Sequence, residues 1–192
     1  MICDVMGHGP SAALVTAIMR TLCDELLSSY NDPGALLRGL NLGLRRLLER
    51  IENPMFCTAF YMTVDTGDGS VRYANTGHPS PIHIERGKGR AFFLTDHDNR
   101  HGPVLGLTEE AEYPVCQFTL EPRDAILLFT DGLFEVSCEG SKEYGAERLL
   151  GHIGQHLNLG TAQILDSTLE EVTSKAKSGF DDDVCLVSVE RA

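Results

Sequence analysis

No apolar run in this sequence reaches the ~18 residues that a membrane-spanning helix needs, and no signal peptide is visible. Basic residues are scarce: 16 Lys and Arg stand against 28 Asp and Glu, a formal net charge of −12. That balance argues against nucleic acid or an anionic membrane as the main partner. Cysteine offers no C-x-x-C spacing, and its six copies (Cys3, Cys23, Cys57, Cys116, Cys138 and Cys185) are scattered, mostly among apolar neighbours. Such thiols point to reduced side chains in a cytoplasmic protein rather than to a disulfide framework or a zinc site. Internal repeats, low-complexity tracts and linkers are missing too, so residues 1–192 read as one domain. What the chain does hold is 42% hydrophobic residues, enough for a real core.

Helical spacing runs over residues 11–30 through Ala12, Val15, Ile18, Met19, Leu22 and Leu26. Asn31-Asp32-Pro33-Gly34 breaks that helix and offers Asp32 as N-cap of a second, with Pro33 at its first position. The second pattern, over 35–52, places Leu36, Leu37, Leu40, Leu44, Leu47, Leu48 and Ile51 on one face. Leucine this dense fits core packing first, and a dimer or regulatory face second. From residue 56 the period shortens to two. Thr58–Val64 and Ser70–Ala74 predict one hairpin; Ile82–Ile84 and Ala91–Leu94 predict another. A strand is expected at Tyr113–Thr119, and the continuous apolar run Ala125–Thr130 suits a strand buried on both faces. Two more helices are expected at 145–156 and 161–178, the latter with Thr161 as N-cap, before a last strand at Val184–Val189.

Three places share one grammar, an apolar strand abutting a turn that presents a carboxylate. They are Asp4, within Asp4-Val5-Met6-Gly7-His8-Gly9; Asp131, within Thr130-Asp131-Gly132; and the Asp181–Asp183 cluster. Each alone suits an ordinary solvated turn equally well, because short Gly-rich motifs recur by chance. Brought together, such carboxylates repel unless a cation neutralises them. Oxygen ligands without paired His or Cys favour a hard ion, Mg²⁺ or Mn²⁺, over zinc. Two such ions close together can clamp a phosphoryl group and generate a hydroxide.

These motifs, with Ala12-Ala13, the Asn75-Thr76-Gly77-His78-Pro79 turn, Gly106, Glu135 and the closing Asp182-Asp183, resemble the bacterial branch of the PPM metal-dependent serine/threonine phosphatases. The branch is that of sporulation stage II protein E and the stress-response phosphatases, and order and spacing match along nearly the whole chain. The resemblance implies a four-layer α/β/β/α sandwich of two antiparallel sheets flanked by helices. It implies that Asp4 bridges two ions, that the Val5 carbonyl serves one, and that Asp131 and Asp182 complete the other. Gly7, His8, Gly77, His78 and Gly132 then belong to the active-site loops. Hydrolysis of phosphoserine or phosphothreonine follows by direct attack of metal-activated water, on a phosphorylated anti-anti-sigma factor or a similar regulatory domain. The two leucine-rich helices are where related proteins receive control from a sensor domain or second subunit.

The sequence departs from the family pattern at its start, where a β-hairpin with a Gly-Gly-Asp-type motif is expected to supply an acid to the second ion. Either Met1 is an internal methionine of a longer parent that carries an upstream sensor or receiver domain, or the first strands are missing and one metal site is incomplete. Open sheet edges left by missing strands favour self-association, a homodimer included. Met6 stands where animal relatives carry a histidine, and Cys185 where threonine is common. Two other readings stay open: a phosphatase-fold module that binds a partner or dimerises without turnover, and a phosphoesterase for some other ester.

Overall fold

The computed structural model describes residues 1–28, 31–49, 55–95, 101–138 and 143–192. In chain order the elements are β1 (Ile2–Val5), α1 (Pro10–Leu26), α2 (Pro33–Leu48), β2 (Cys57–Val64), β3 (Ser70–Asn75), β4 (Ile82–Glu85) and β5 (Arg90–Phe93). There follow β6 (Cys116–Thr119), β7 (Ala125–Phe129), α3 (Ala146–Gln155), α4 (Thr161–Lys175) and β8 (Leu186–Glu190). They gather into two compact units, one of Met1–His78 with Asp96–Thr119, the other of Pro79–Thr95 with Leu120–Ala192. Each unit holds one four-stranded antiparallel sheet, in the order β1-β2-β3-β6 in the first and β5-β4-β7-β8 in the second. Among the described residues no helix is long and apolar enough to cross a membrane.

In the first unit α1 and α2 lie against one sheet face. Val15 and Met19 of α1, Leu36, Leu37, Leu40 and Leu44 of α2, and Cys57, Ala59 and Ala74 of the sheet form one buried cluster. Burying each of these leucines contributes about 1.5–3 kcal/mol, so the i, i+3/i+4 spacing explains why the pair packs as it does. Asp32 caps α2 as the sequence predicts, its Oδ1 accepting from the Ala35 amide at 2.9 Å, with Pro33 in the first turn. Leu47 departs from the pattern: it is 53% exposed, since it lies off the stripe that Leu40, Leu44 and Leu48 set. Ile51 lies outside the described residues. The fully buried Asn41 side chain of α2 accepts from the Gly106 amide and donates to the Thr108 carbonyl, both at 2.8 Å.

The second unit repeats the plan. Ile82, Ile84, Leu127 and Phe129 pack with Leu149 and Ile153 of α3 and Ile164 and Val172 of α4. All five residues of β7 are buried, as its unbroken apolar run predicts.

Two local expectations are corrected. The strand expected at Tyr113–Thr119 starts only at Cys116, because Pro114 has no N–H for the ladder and Tyr113 is drawn into the first unit's core. Thr161 is not the cap of α4. Gly160 takes the extended N-cap position, and the Thr161 hydroxyl instead accepts from Arg86 Nη2 at 3.0 Å and donates to Glu190. Arg86 also donates to the Leu157 and Leu159 carbonyls, so a guanidinium from the strand side holds the turn before α4.

Candidate active-site turns

Asp4 sits in β1 directly opposite Thr58 of β2, and Val5 opposite Cys57. The chain then leaves the sheet through Met6, whose amide donates to the Phe56 carbonyl at 3.0 Å. Gly7 and Gly9 both take left-handed φ, +85° and +86°, which a side chain would resist; His8 between them is exposed. Gly9 is the N-cap of α1 and Pro10 opens its first turn. The Thr58 hydroxyl lies 2.9 Å from Nδ1 of His78, which is 3% exposed. Asn75 fixes that histidine's backbone: its Oδ1 accepts from the His78 amide at 2.8 Å and its Nδ2 donates to the His78 carbonyl at 2.9 Å. Gly77 crosses the turn at φ +79°. Asp4, Thr58 and His78 thus stand beside one another at the end of the first sheet, with Gly7, His8 and Gly9 on the turn that leaves it.

A threonine starts this turn in a specific way. Phe60 pairs with Asn75, so Ala59 and Thr76 come next in the β2–β3 ladder. The Thr76 amide donates to the Ala59 carbonyl at 2.9 Å as an antiparallel rung requires, but the Ala59 amide donates to Thr76 Oγ1, at 2.7 Å, in place of the Thr76 carbonyl.

The second unit uses the same device. Phe129 pairs with Leu186, and at the next rung the Thr130 amide donates to the Cys185 carbonyl at 3.1 Å. The return bond runs from the Cys185 amide to Thr130 Oγ1, at 2.9 Å. The Thr130 carbonyl is thereby left to accept from the Leu133 amide at 3.1 Å, which closes the 3-10 turn that opens with Asp131. The Thr130 hydroxyl proton goes to the Asp183 carbonyl, at 2.8 Å. Asp131 Oδ1 accepts from the Gly132 amide and Asp182 Oδ1 from the Asp183 amide. Gly132 backs onto the segment that carries Asp182: a Cβ there would lie 2.6 Å from the Asp183 carbonyl oxygen and 3.1 Å from that of Asp182.

Negative charge gathers at this end of the second unit. Partial burial holds the Glu135 carboxyl above its usual range, and the nearby Asp131, Glu143 and Asp182 push it further. The donor set, carboxylates without cysteine or paired histidine, has the chemistry of a hard divalent cation. Among the described residues, no three His, Cys, Asp or Glu side chains form a ready ion cage. Thr58, Thr76 and Thr130 carry no role that sequence reading assigned. The signal that marks two of them is a threonine closing a strand just before a glycine-containing turn.

The profile of the family described as Stage II sporulation protein E matches residues 1–192. The chain belongs to that family. The chain is 27% identical over 198 residues to phosphoserine phosphatase RsbP of Bacillus subtilis, covering 99% of this chain and 45% of that protein. It is 30% identical over 138 residues to phosphoserine phosphatase RsbU of the same organism, covering 72% and 39%. It therefore spans less than half the length of either relative. Among solved structures, the SiaA-PP2C domain of Pseudomonas aeruginosa superposes with a TM-score of 0.81 at 19% identity, over 98% of this chain and 72% of that one. The fold of this member of the Stage II sporulation protein E family, two antiparallel sheets each with a pair of helices, matches that PP2C domain and has the two helix-flanked antiparallel sheets that the resemblance implies.

Proposed function

We propose that residues 1–192 are a single cytoplasmic phosphatase domain that hydrolyses phosphoserine or phosphothreonine on a bacterial regulatory protein. The family match over the whole chain carries this reading, supported by two relatives named as phosphoserine phosphatases. Asp4, the Val5 carbonyl, Asp131 and Asp182 are assigned as ligands of Mn²⁺ or Mg²⁺. Such ions supply the charge that polarises a water and a phosphoryl oxygen. Thr58 and Asn75 hold His78 beside the acid of β1, and Gly7, His8, Gly77 and Gly132 shape the turns. The substrate is a phosphorylated partner of the anti-anti-sigma-factor kind, in a pathway where a sensor or receiver domain controls the phosphatase. The −12 charge agrees with a protein rather than a nucleic-acid partner.

The test is turnover of p-nitrophenyl phosphate and of a phosphoserine protein with and without Mn²⁺. Metal-dependent turnover that Asp131→Asn abolishes is the expected result; turnover indifferent to metal and to that substitution overturns the reading. The alternative reading is a binding or dimerisation module without turnover. Binding of a phosphorylated partner without Mn²⁺ affinity, measured by calorimetry, would select it.

A further inference from the structure

We infer that Thr130 is a positioning residue for the acid centre, setting Asp182 relative to Asp131 through its hydroxyl; this rests on the metal-phosphatase reading above. The hydrogen bonds at the end of β7 show how. Were the last rung of the β7–β8 ladder an ordinary one, the Thr130 carbonyl would accept from the Cys185 amide and could not also close the turn that presents Asp131 without sharing. The hydroxyl takes that amide at 2.9 Å, and the carbonyl turns to Leu133. The same oxygen gives its proton to the Asp183 carbonyl at 2.8 Å, one residue from Asp182. A single side chain thus binds the acid segment at two points, Asp183 and Cys185, while its own backbone continues into Asp131. Gly132 approaches the same Asp183 carbonyl and leaves no room there for a Cβ. Two carboxylates carried on separate segments keep a fixed separation only if the segments are tied, and Thr130 is a side chain that ties them at two points. Thr76 performs the same swap at the end of β3, so the arrangement recurs where the chain leaves a strand for a proposed site turn.

Valine at 130 keeps the branched shape and removes the hydroxyl; serine keeps the hydroxyl and removes the methyl. Three measurements on wild type, Thr130→Val and Thr130→Ser test the inference: amide exchange at Cys185, Mn²⁺ affinity by calorimetry, and kcat and KM with a phosphoserine protein. In Thr130→Val, Cys185 exchange is expected to rise at least tenfold. Mn²⁺ affinity is expected to fall about 10- to 100-fold, as for loss of other groups that orient metal ligands. kcat is expected to fall more than KM rises, and Thr130→Ser to restore all three. Faster Cys185 exchange with unchanged Mn²⁺ affinity would make Thr130 a strand cap only and overturn the inference. Unchanged exchange overturns it at the structural step. No Mn²⁺ affinity in the wild type removes the metal reading itself, and this inference with it, which the first two outcomes do not. Should Thr130→Val fail to fold, Thr130→Ala removes the hydroxyl without setting a methyl against the Asp183 carbonyl and serves the same comparison.

Discussion

The Thr58 hydroxyl sits 2.9 Å from Nδ1 of His78, and Thr58 is the residue directly across the strand pair from Asp4. The ring is nearly inaccessible to water, so this contact is one that solvent cannot replace. Thr58→Val keeps the volume and deletes the bond. The expected cost is about 1 kcal/mol of stability, read as a lower midpoint in urea with an unchanged m-value. If His78 serves the acid of β1 as proposed, kcat falls as well. A Thr58→Val protein of wild-type stability would show that the contact contributes nothing.

Asn41 makes a second test of a buried polar side chain, far in sequence from what it holds. It satisfies the Gly106 amide and the Thr108 carbonyl from within α2. Asn41→Leu strands both backbone groups away from water, at about 1–3 kcal/mol for each group left unpaired. Thermal unfolding should show a clear drop in midpoint, and Asn41→Asp should recover part of it only if the Gly106 bond dominates, since aspartate can accept but not donate.

These two side chains show where sequence reading ends. The i, i+3/i+4 leucines of α2 and its Asp32 cap are local signals, and the structure follows them. The run Ala125–Thr130 announces a strand buried on both faces, found at Ala125–Phe129, and the strand-then-acid-then-glycine order locates the turn of Asp131. What binds Asn41, Arg86 or Thr161 lies some 29 to 75 positions away in the chain, and no periodicity reports a partner at that range. For the same reason Thr161 reads as a helix cap although its hydroxyl is taken by Arg86 and Glu190. The swaps made by Thr76 and Thr130 depend on ladder register, which the residues themselves do not state.

A pH dependence follows from His83. It is buried in the second unit beside Asp124, with Nε2 3.5 Å from Oδ2 and the ring tilted against Phe92. Burial holds its pKa below the usual histidine value of 6.5, outweighing the pull of Asp124 and Glu85 in the opposite direction. A base whose folded pKa is depressed contributes stability that is present above the unfolded pKa and lost as pH falls through the folded one. Stability should therefore decline as pH drops below about 6.5. His83→Gln, which does not titrate, should narrow the difference from wild type as the pH is lowered. His152, also depressed by burial and by His156, adds to the same slope and remains in the variant. Parallel melting curves for wild type and His83→Gln across pH 5–8 would remove His83 as the cause.

Gly132 separates collision from conformation. Its φ is not left-handed, so alanine is allowed there by backbone geometry, and the close approaches of 2.6 Å to the Asp183 carbonyl oxygen and 3.1 Å to that of Asp182 oppose it. The obstacle is backbone, which cannot rotate aside, so Gly132→Ala must push the Asp182–Asp183 segment away at a cost of about 1–3 kcal/mol. The push acts on the Asp183 carbonyl that the Thr130 hydroxyl also holds, which makes the two sites neighbours in one network and their effects non-additive. Once Thr130→Val has released the segment, the added methyl meets less resistance. The double variant should be more stable than the sum of the single losses predicts, by at least about 0.5 kcal/mol. Strict additivity in denaturant titrations would mean that Gly132 and Thr130 do not act on the same segment.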